Sequence, residues 1–119
     1  AEDWVRVGKL LLDDGRVGSR QVVPAAWLRE MTAPQPLNPG YGYQIWRGVD
    51  PAEVNRAGTG SMVQWTEPLA AGDVLILMGF GGQRTYVSRS LDLVIVRIGT
   101  QTQKWDEARV FNSIAAALR

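Results

Sequence analysis

Two residue types that carry much of protein chemistry are missing from this 119-residue chain, which contains neither cysteine nor histidine. The absence of cysteine excludes disulfides and thiolate metal sites. The absence of histidine removes the commonest general base and the commonest metal ligand. The chain therefore cannot build a Ser-His-Asp triad or a zinc site from its own residues, and its sequence implies no metal and no organic cofactor.

The chain also lacks an excess of charge of either sign. Its 13 Lys and Arg residues balance 12 Asp and Glu residues, which leaves a net charge of +1. Nucleic acids and membrane surfaces recruit clustered basic residues, and the arginines here form no run. No apolar run is long enough to span a bilayer. We therefore expect neither nucleic acid nor membrane as a partner of this single-domain length of chain.

A predicted β-hairpin stands at the centre of the sequence. Residues 74–78 form a short apolar run rich in branched side chains, which is typical of a strand buried on both faces. Gly81 and Gly82 can supply the positive φ angles of a tight turn, after which a second strand returns through Val87. With Gly79, these glycines also leave main chain uncovered where a ligand could approach N–H groups, although the turn alone would explain them.

The remaining periodicities predict helices on both sides of this hairpin. In chain order they indicate a helix over residues 1–14, a turn over 15–21, a short helix over 24–31, a strand over 41–46, a long excursion over 47–72 with one strand near 62–65, a third meander strand over 91–98 and a terminal helix over 105–118. The predicted fold class is α+β, an antiparallel meander with flanking helices and a C-terminal helix packed on the sheet. Long excursions are usually functional or mobile, so this one is a second indication of a nearby site.

Several segments in this order resemble one family. They are the helix of residues 4–12 with Asp14-Gly15-Arg16, the segment 22–28 with Met31-Thr32, the motif Gly40-Tyr41-Gly42-Tyr43-Gln44-Ile45-Trp46, and Gly79-Phe80-Gly81-Gly82-Gln83 continuing through Tyr86-Val87 to residues 91–96. Together they are similar to the C-terminal portion of the serine β-lactamase and penicillin-binding-protein-like superfamily, in its branch of β-lactamase-related esterases and 6-aminohexanoate-oligomer hydrolases. The resemblance covers nearly the whole chain.

The resemblance implies that residues 1–119 are the C-terminal segment of a single β-lactamase-like domain. Enzymes of this family use a Ser-x-x-Lys nucleophile motif and a Tyr-x-Asn or Ser-x-Asn motif, and the chain contains neither. It therefore cannot form the family's acyl-enzyme alone. We expect the N-terminal part of the same protein as its partner, with that part supplying the nucleophilic serine, the lysine base and the tyrosine proton shuttle.

The family's third motif, a Lys-Thr-Gly sequence on a strand, can be placed in two registers. In the favoured one, Leu77-Met78-Gly79 occupies the motif and the backbone N–H of Phe80 completes the oxyanion hole. In the rival register, Phe80-Gly81-Gly82 occupies it and the donor moves to Gln83. Both registers lack the family's lysine, which helps to hold a β-lactam carboxylate. This loss puts β-lactam hydrolysis in doubt and favours a small ester or amide as substrate.

Other residues near this motif are candidates for substrate binding. Gly79 and Gly81 have no side chain to cover the main chain, so substrate could approach it there. Gln83 could reach substrate, with an ordinary polar residue of a hairpin as the alternative. Trp46 and Trp65 flank the long excursion and could line an acyl pocket, with core packing as the alternative.

Several further residues are expected to be structural. Three tryptophans lie on helix stripes and are predicted to be core residues, namely Trp4, Trp27 and Trp105. Three arginines alternate with apolar residues and predict a solvated sheet face, namely Arg84, Arg89 and Arg97. The pair Asp106-Glu107 is expected to be solvated at a helix start, where the helix dipole favours acidic residues.

The leading hypothesis is a serine hydrolase to which this segment contributes one wall of the cleft. Two alternatives stay open: a non-catalytic binding module of the same fold, and an independent small α+β interaction domain. A wide apolar face left exposed on the first helix or the sheet would favour the first two over the third, because a missing partner segment would normally cover it.

Overall fold

The computed structural model describes residues 1–50, 52, 65, 67–100 and 106–118. The predicted strand near residues 62–65 lies outside these ranges apart from Trp65, and so does Trp105. The helices and strands are α1 (Glu2–Leu12), β1 (Arg16–Val17), β2 (Arg20–Gln21), α2 (Ala25–Met31), β3 (Trp46–Arg47), β4 (Leu75–Gly79), a 3-10 turn (Phe80–Gly82), β5 (Gln83–Ser88), β6 (Leu93–Arg97) and α3 (Glu107–Ala117). Within the described ranges, no helix has both the length and the apolar character needed to cross a bilayer.

Four of these strands form one antiparallel sheet in the order β3-β4-β5-β6. The central hairpin pairs β4 with β5 from Leu75 opposite Val87 to Gly79 opposite Gln83. β6 continues the meander, with Ser88 opposite Leu93 at one end of its pairing with β5. The predicted antiparallel meander is therefore confirmed.

Helices cover both faces of the sheet, because successive side chains of a strand point to opposite sides. One face carries the core cluster built from Ile76, Tyr86, Leu93 and α3. The opposite face carries the second cluster, in which Val87 packs with Leu11 of α1, Leu28 of α2 and Ile45. The strong apolar character of residues 74–78 follows from this double coverage.

α1 approaches the sheet most closely at Gly8. A Cβ atom added at Gly8 would lie 2.5 Å from Cγ1 of Val94 and 3.2 Å from Cγ2 of Thr85. Glycine is therefore required for α1 to lie directly on β5 and β6. The chain leaves this helix through Gly15, whose φ is +82° and whose N–H donates to the Leu10 carbonyl at 2.7 Å, as expected for a glycine just past a helix end.

α3 begins at an Asp106 cap and packs along one stripe. The Asp106 side chain accepts a hydrogen bond from the Arg109 N–H at 3.1 Å. Ala108, Phe111 and Ala115 are buried against the sheet. The predicted terminal helix and its packing on the sheet are confirmed, although Leu118 at the end of the predicted stripe is exposed.

Two local predictions need correction. The segment 15–21 is a small β-hairpin, in which β1 and β2 pair antiparallel, rather than a plain turn. The segment 41–46 is mostly a turn, and only its last residue belongs to a strand, because Gln44 adopts φ +60° and the Gly42 N–H donates to the Ile45 carbonyl at 2.8 Å. A period of two in aromatic residues predicts an extended backbone there, but the positive φ of Gln44 turns the chain instead.

Two predictions about burial were also wrong. Trp4 and Trp27, expected in the core, are about half exposed, at 50% and 49%. Arg84 and Glu107, expected in solvent, are buried at 5% and 0% exposure. The two charged side chains tolerate burial because they form an ion pair, described below.

Candidate functional site

The tip of the central hairpin is a 3-10 turn that few side chains cover. Gly81 and Gly82 adopt φ angles of +72° and +86°, which confirms that the turn requires glycine at both positions. The side chain of Phe80 is completely exposed. Phe80 lies one residue beyond the last ladder pair, Gly79 with Gln83, so its peptide group is outside the β-ladder.

The outer edge of β4 is open next to this tip. β3 pairs only with the first two residues of β4, through Arg47 opposite Leu75 and Trp46 opposite Ile76. Beyond that point, residues 77–79 have β5 on one side and no strand partner on the other within the described ranges. An open edge offers backbone donors and acceptors to whatever lies against it.

A cavity of about 210 Å³ lies beside the same end of the hairpin. Gly79 and Gln83, both predicted to bind substrate, line it, whereas Phe80 lies next to it in sequence but not on its wall. Most of its surface is apolar and comes from Trp4, Leu77, Met78 and Ile98; polar groups come from Gln44, Gln83, Arg84 and Thr85. Trp4 and Gln44 belong to distant segments, and nothing in their local sequence marks them as neighbours of the hairpin.

Gln83 holds the hairpin to the end of β6. Its side-chain amide donates to the Gly99 carbonyl at 2.9 Å, and its side-chain oxygen accepts from the Gly99 N–H at 2.9 Å. Both halves of the amide are thus used within the protein. A role of Gln83 in contacting substrate stays a prediction, and its visible role is to fix the return strand.

Trp46 and Trp65 lie away from this cavity. Trp65 is buried in the core cluster on the α3 face, and its indole N–H donates to the Val49 carbonyl at 3.1 Å. Trp46 packs partly buried against the same cluster, with its ring 4.6 Å from that of Tyr41. Neither is among the residues that line the cavity, and both positions match the core-packing alternative.

A buried ionic network, which sequence reasoning did not identify, lies under the hairpin on the α3 face. Nε of Arg84 donates to Oε1 of Glu107 at 2.5 Å, and the hydroxyl of Tyr86 donates to Oε2 of the same carboxylate. Nη1 of Arg84 also donates to the Gln83 carbonyl at 2.9 Å. Arg97, opposite Arg84 on β6, donates to the Gly82 carbonyl.

A second polar cluster fixes the other end of the hairpin. Oδ1 of Asp73 accepts from the hydroxyls of Ser88 and Ser90 at 2.8 and 2.9 Å, and Oδ2 accepts from the Ser90 N–H at 2.8 Å. Burial by itself raises the pKa of Asp73, but these hydrogen bonds favour the carboxylate and bring the pKa below its ordinary value of 3.8. The cluster joins the start of β4 to the turn before β6 and has a structural role.

An apolar surface is left exposed along α1 and α2. Trp4, Val5 and Val7 of α1 are each more than one third exposed. Trp27 of α2 is exposed beside Tyr43, with ring centroids 5.8 Å apart.

Nowhere in the described ranges do three or more acidic side chains gather in a way that could hold a metal ion.

Comparisons with known proteins support the fold. No protein-family model and no curated protein matches the chain. Among solved structures, it is similar to a candidate β-lactamase from Bacteroides dorei DSM 17855, with a TM-score of 0.54 and 14% sequence identity. The match covers 98% of this chain and 38% of that protein. The chain thus has an α+β, β-lactamase-like fold that corresponds to a C-terminal fragment of this neighbour, which confirms the predicted fold class.

Proposed function

We propose that the chain is part of a serine hydrolase that acts through an acyl-enzyme, and that it contributes the main-chain N–H of Phe80 to the oxyanion hole. The position of Phe80 carries this proposal: it is the first residue past the β-ladder, beside the open edge of β4 and the cavity at Gly79. The β-lactamase-like fold supplies the class of chemistry by analogy.

The proposed role needs only a backbone donor. A donor about 3 Å from the developing alkoxide contributes roughly 3 kcal/mol of barrier lowering in comparable enzymes. Three glycines around the tip let a substrate carbonyl approach the main chain closely. The serine, the lysine base and the tyrosine proton shuttle come from another stretch of the polypeptide, and water then releases the acyl group.

The cavity beside Gly79 would receive an uncharged portion of the substrate. Its walls are mainly apolar, and Arg84, the one charged side chain that lines it among the described residues, is paired with Glu107. A small ester or amide suits such a cavity better than an anionic β-lactam, because the third-motif lysine is replaced by Leu77 or, in the rival register, by Phe80.

The proposed partner is the N-terminal part of the same protein. The exposed apolar side chains of α1 and α2, among them Trp4 and Trp27, support this because such surfaces normally lie under other polypeptide. The chain also spans only 38% of its structural neighbour, which leaves most of that fold to be supplied. This exposed surface favours a segment of a larger molecule over an independent interaction domain.

The first test is covalent labelling of the full-length protein with a fluorophosphonate probe, followed by hydrolysis of p-nitrophenyl acetate. Phe80→Pro then removes the proposed donor with little strain, because Phe80 begins the 3-10 turn without a positive φ and the preceding Gly79 is extended, with φ −108° and ψ 161°. We expect kcat to fall about 10²-fold in Phe80→Pro. The matched control Phe80→Ala keeps the N–H and should retain parental kcat, since the side chain is exposed.

The rival register makes the opposite prediction. If Gln83 carries the donor, Phe80→Pro would retain activity, and Gln83→Pro would lose far more activity than Gln83→Ala. Equal loss in Phe80→Pro and Phe80→Ala would show that the side chain matters rather than the amide. Absence of labelling in the full-length protein would reject the hydrolase and leave the binding-module alternative.

A further inference from the structure

The ion pair between Arg84 and Glu107 joins two elements that are distant in sequence. Glu107 is in the first turn of α3, and its side chain is completely buried, whereas Arg84 is on β5 with its side chain 4% exposed. One carboxylate oxygen accepts from Arg84 at 2.5 Å and the other accepts from the Tyr86 hydroxyl. Both oxygens of the carboxylate are therefore directed at β5.

This network connects to the hairpin tip through the backbone. Nη1 of Arg84 donates to the Gln83 carbonyl at 2.9 Å. Gln83 is the ladder partner of Gly79, the residue immediately before Phe80. A guanidinium group is rigid and planar, so its bond to Glu107 also fixes the direction of its bond to Gln83. A displacement of Arg84 would therefore move Gln83 and, through the ladder pair of Gln83 with Gly79, the adjacent Phe80.

Few side-chain contacts hold the tip within the part of the chain that the structure describes. Its residues are two glycines with positive φ and one phenylalanine whose side chain makes no buried contact. Among the described residues, side chains hold it from below the turn, by Arg84 to Gln83, by Arg97 to Gly82 and by Gln83 to Gly99. Of these side chains, Arg84 is the one most deeply buried, with a fully buried counter-charge.

We propose that Arg84 and Glu107 are positioning residues that hold the hairpin tip, Phe80–Gly82, in one orientation. Buried ion pairs contribute little net stability compared with apolar side chains of the same volume, and the contacts of this pair with Gln83 and Tyr86 suit a positioning role. The catalytic consequence rests on the proposed function, because it requires that the tip amide binds a substrate oxygen. The effect of the ion pair on the rigidity of the tip does not depend on the proposed function.

The test uses Glu107→Gln in the full-length protein, since glutamine keeps the shape and removes the charge. The matched control is Asp3→Asn in the Arg6–Asp3 pair, which has the same 2.5 Å separation but lies on the exposed side of α1. Backbone ¹⁵N relaxation then reports the order parameters of Phe80–Gly82, well below the unfolding temperature. We expect them to fall from about 0.85 to below about 0.6 in Glu107→Gln and to stay unchanged in Asp3→Asn.

Ester hydrolysis provides the second measurement. We expect Glu107→Gln to lower kcat about 10- to 100-fold with little change in KM, because displacement of a group that acts in the transition state impairs turnover rather than binding. If Glu107→Gln does not fold, Arg84→Met with Glu107→Leu removes the charges while it keeps the core filled, and the tip should again be mobile.

The inference is overturned if the tip remains rigid in these variants, or if order is lost equally throughout α3 and β5, which would mean a general structural role. The two proposals can fail separately. A tip that becomes mobile in a full-length protein without any esterase activity would reject the proposed function and leave the positioning role intact.

Discussion

The energetics of the Arg84–Glu107 pair can be measured with a double-mutant cycle. Both side chains are almost entirely removed from water, at 4% and 0% exposure. Arg84→Met alone leaves a buried carboxylate, and Glu107→Leu alone leaves a buried guanidinium. Each single change is therefore expected to lower the free energy of unfolding by about 3–5 kcal/mol.

The double variant should behave differently from the sum of its parts. Replacement of a buried pair by apolar side chains of similar volume is often neutral or stabilising by about 1–4 kcal/mol. Glu107→Leu also removes the carboxylate oxygen to which the Tyr86 hydroxyl donates, which lowers the free energy of unfolding by about 1–3 kcal/mol. The two effects nearly cancel, so the double variant should lie within about 2 kcal/mol of the parent, whereas additivity would give about 6–10 kcal/mol.

Urea unfolding of the full-length parent, both single variants and the double variant, followed by circular dichroism and tryptophan fluorescence, measures these differences. Asp3→Asn again serves as control and should change stability by no more than about 0.5 kcal/mol. The reasoning is refuted if the single changes are as mild as this control, or if the double variant is as unstable as the sum of the two single variants.

Three further predictions concern other parts of the fold. Gly8→Ala should destabilise the protein by about 1–3 kcal/mol through its clash with Val94 of β6. Gly72→Ala, whose added Cβ would meet none of the described residues within 4 Å, should be neutral in the same urea titration. The folded-state pKa of Asp73 is depressed, so the carboxylate stabilises the fold above about pH 4 and this stabilisation is lost as pH falls further. The difference in unfolding free energy between the parent and Asp73→Asn should therefore shrink on acidification. A difference that stays constant with pH would contradict this reasoning. The Tyr43 hydroxyl donates to the Glu30 carboxylate at 3.1 Å, and this hydrogen bond, together with the negative charge of Glu30, raises the pKa of Tyr43 above its ordinary value of 10.0. Glu30→Gln should bring the pKa of Tyr43 back toward 10.0, as measured by ultraviolet absorbance of the phenol during a pH titration.

Local patterns in the sequence were sufficient for the parts of the fold that local physics determines. The positive φ angles of Gly81 and Gly82 follow from a two-residue glycine turn between apolar runs. The boundaries of α1 and α3 follow from apolar periodicity and end signals, with Gly15 and Asp106 close to the observed ends. These features depend on residues within a few positions of one another.

The buried ion pair could not be predicted in the same way, because its partners are separated by 23 positions and meet only when α3 packs on the sheet. Charge alone predicts exposure, yet the periodicity contains a contrary signal. Glu107 precedes Phe111 by four positions and Ile114 by seven, which places it on the buried stripe of α3. Arg84 likewise shares a strand face with Tyr86. Two opposite charges on two apolar faces are a recognisable reason to expect a buried pair.

The exposure of the tryptophans has a similar cause, because local spacing predicts which residues share a helix face but not how much of that face the rest of the fold covers. Trp4 does lie on an apolar stripe of α1, as its spacing predicted, but the residues of that helix that are buried are Gly8 and Leu11. Trp4 is half exposed, so that one part of it lines the cavity at Gly79 and the rest is open to solvent. Under the proposed function, an N-terminal part that covers α1 would also cover Trp4 and this wall of the cavity, so substrate enclosure and completion of the core would be one event rather than two.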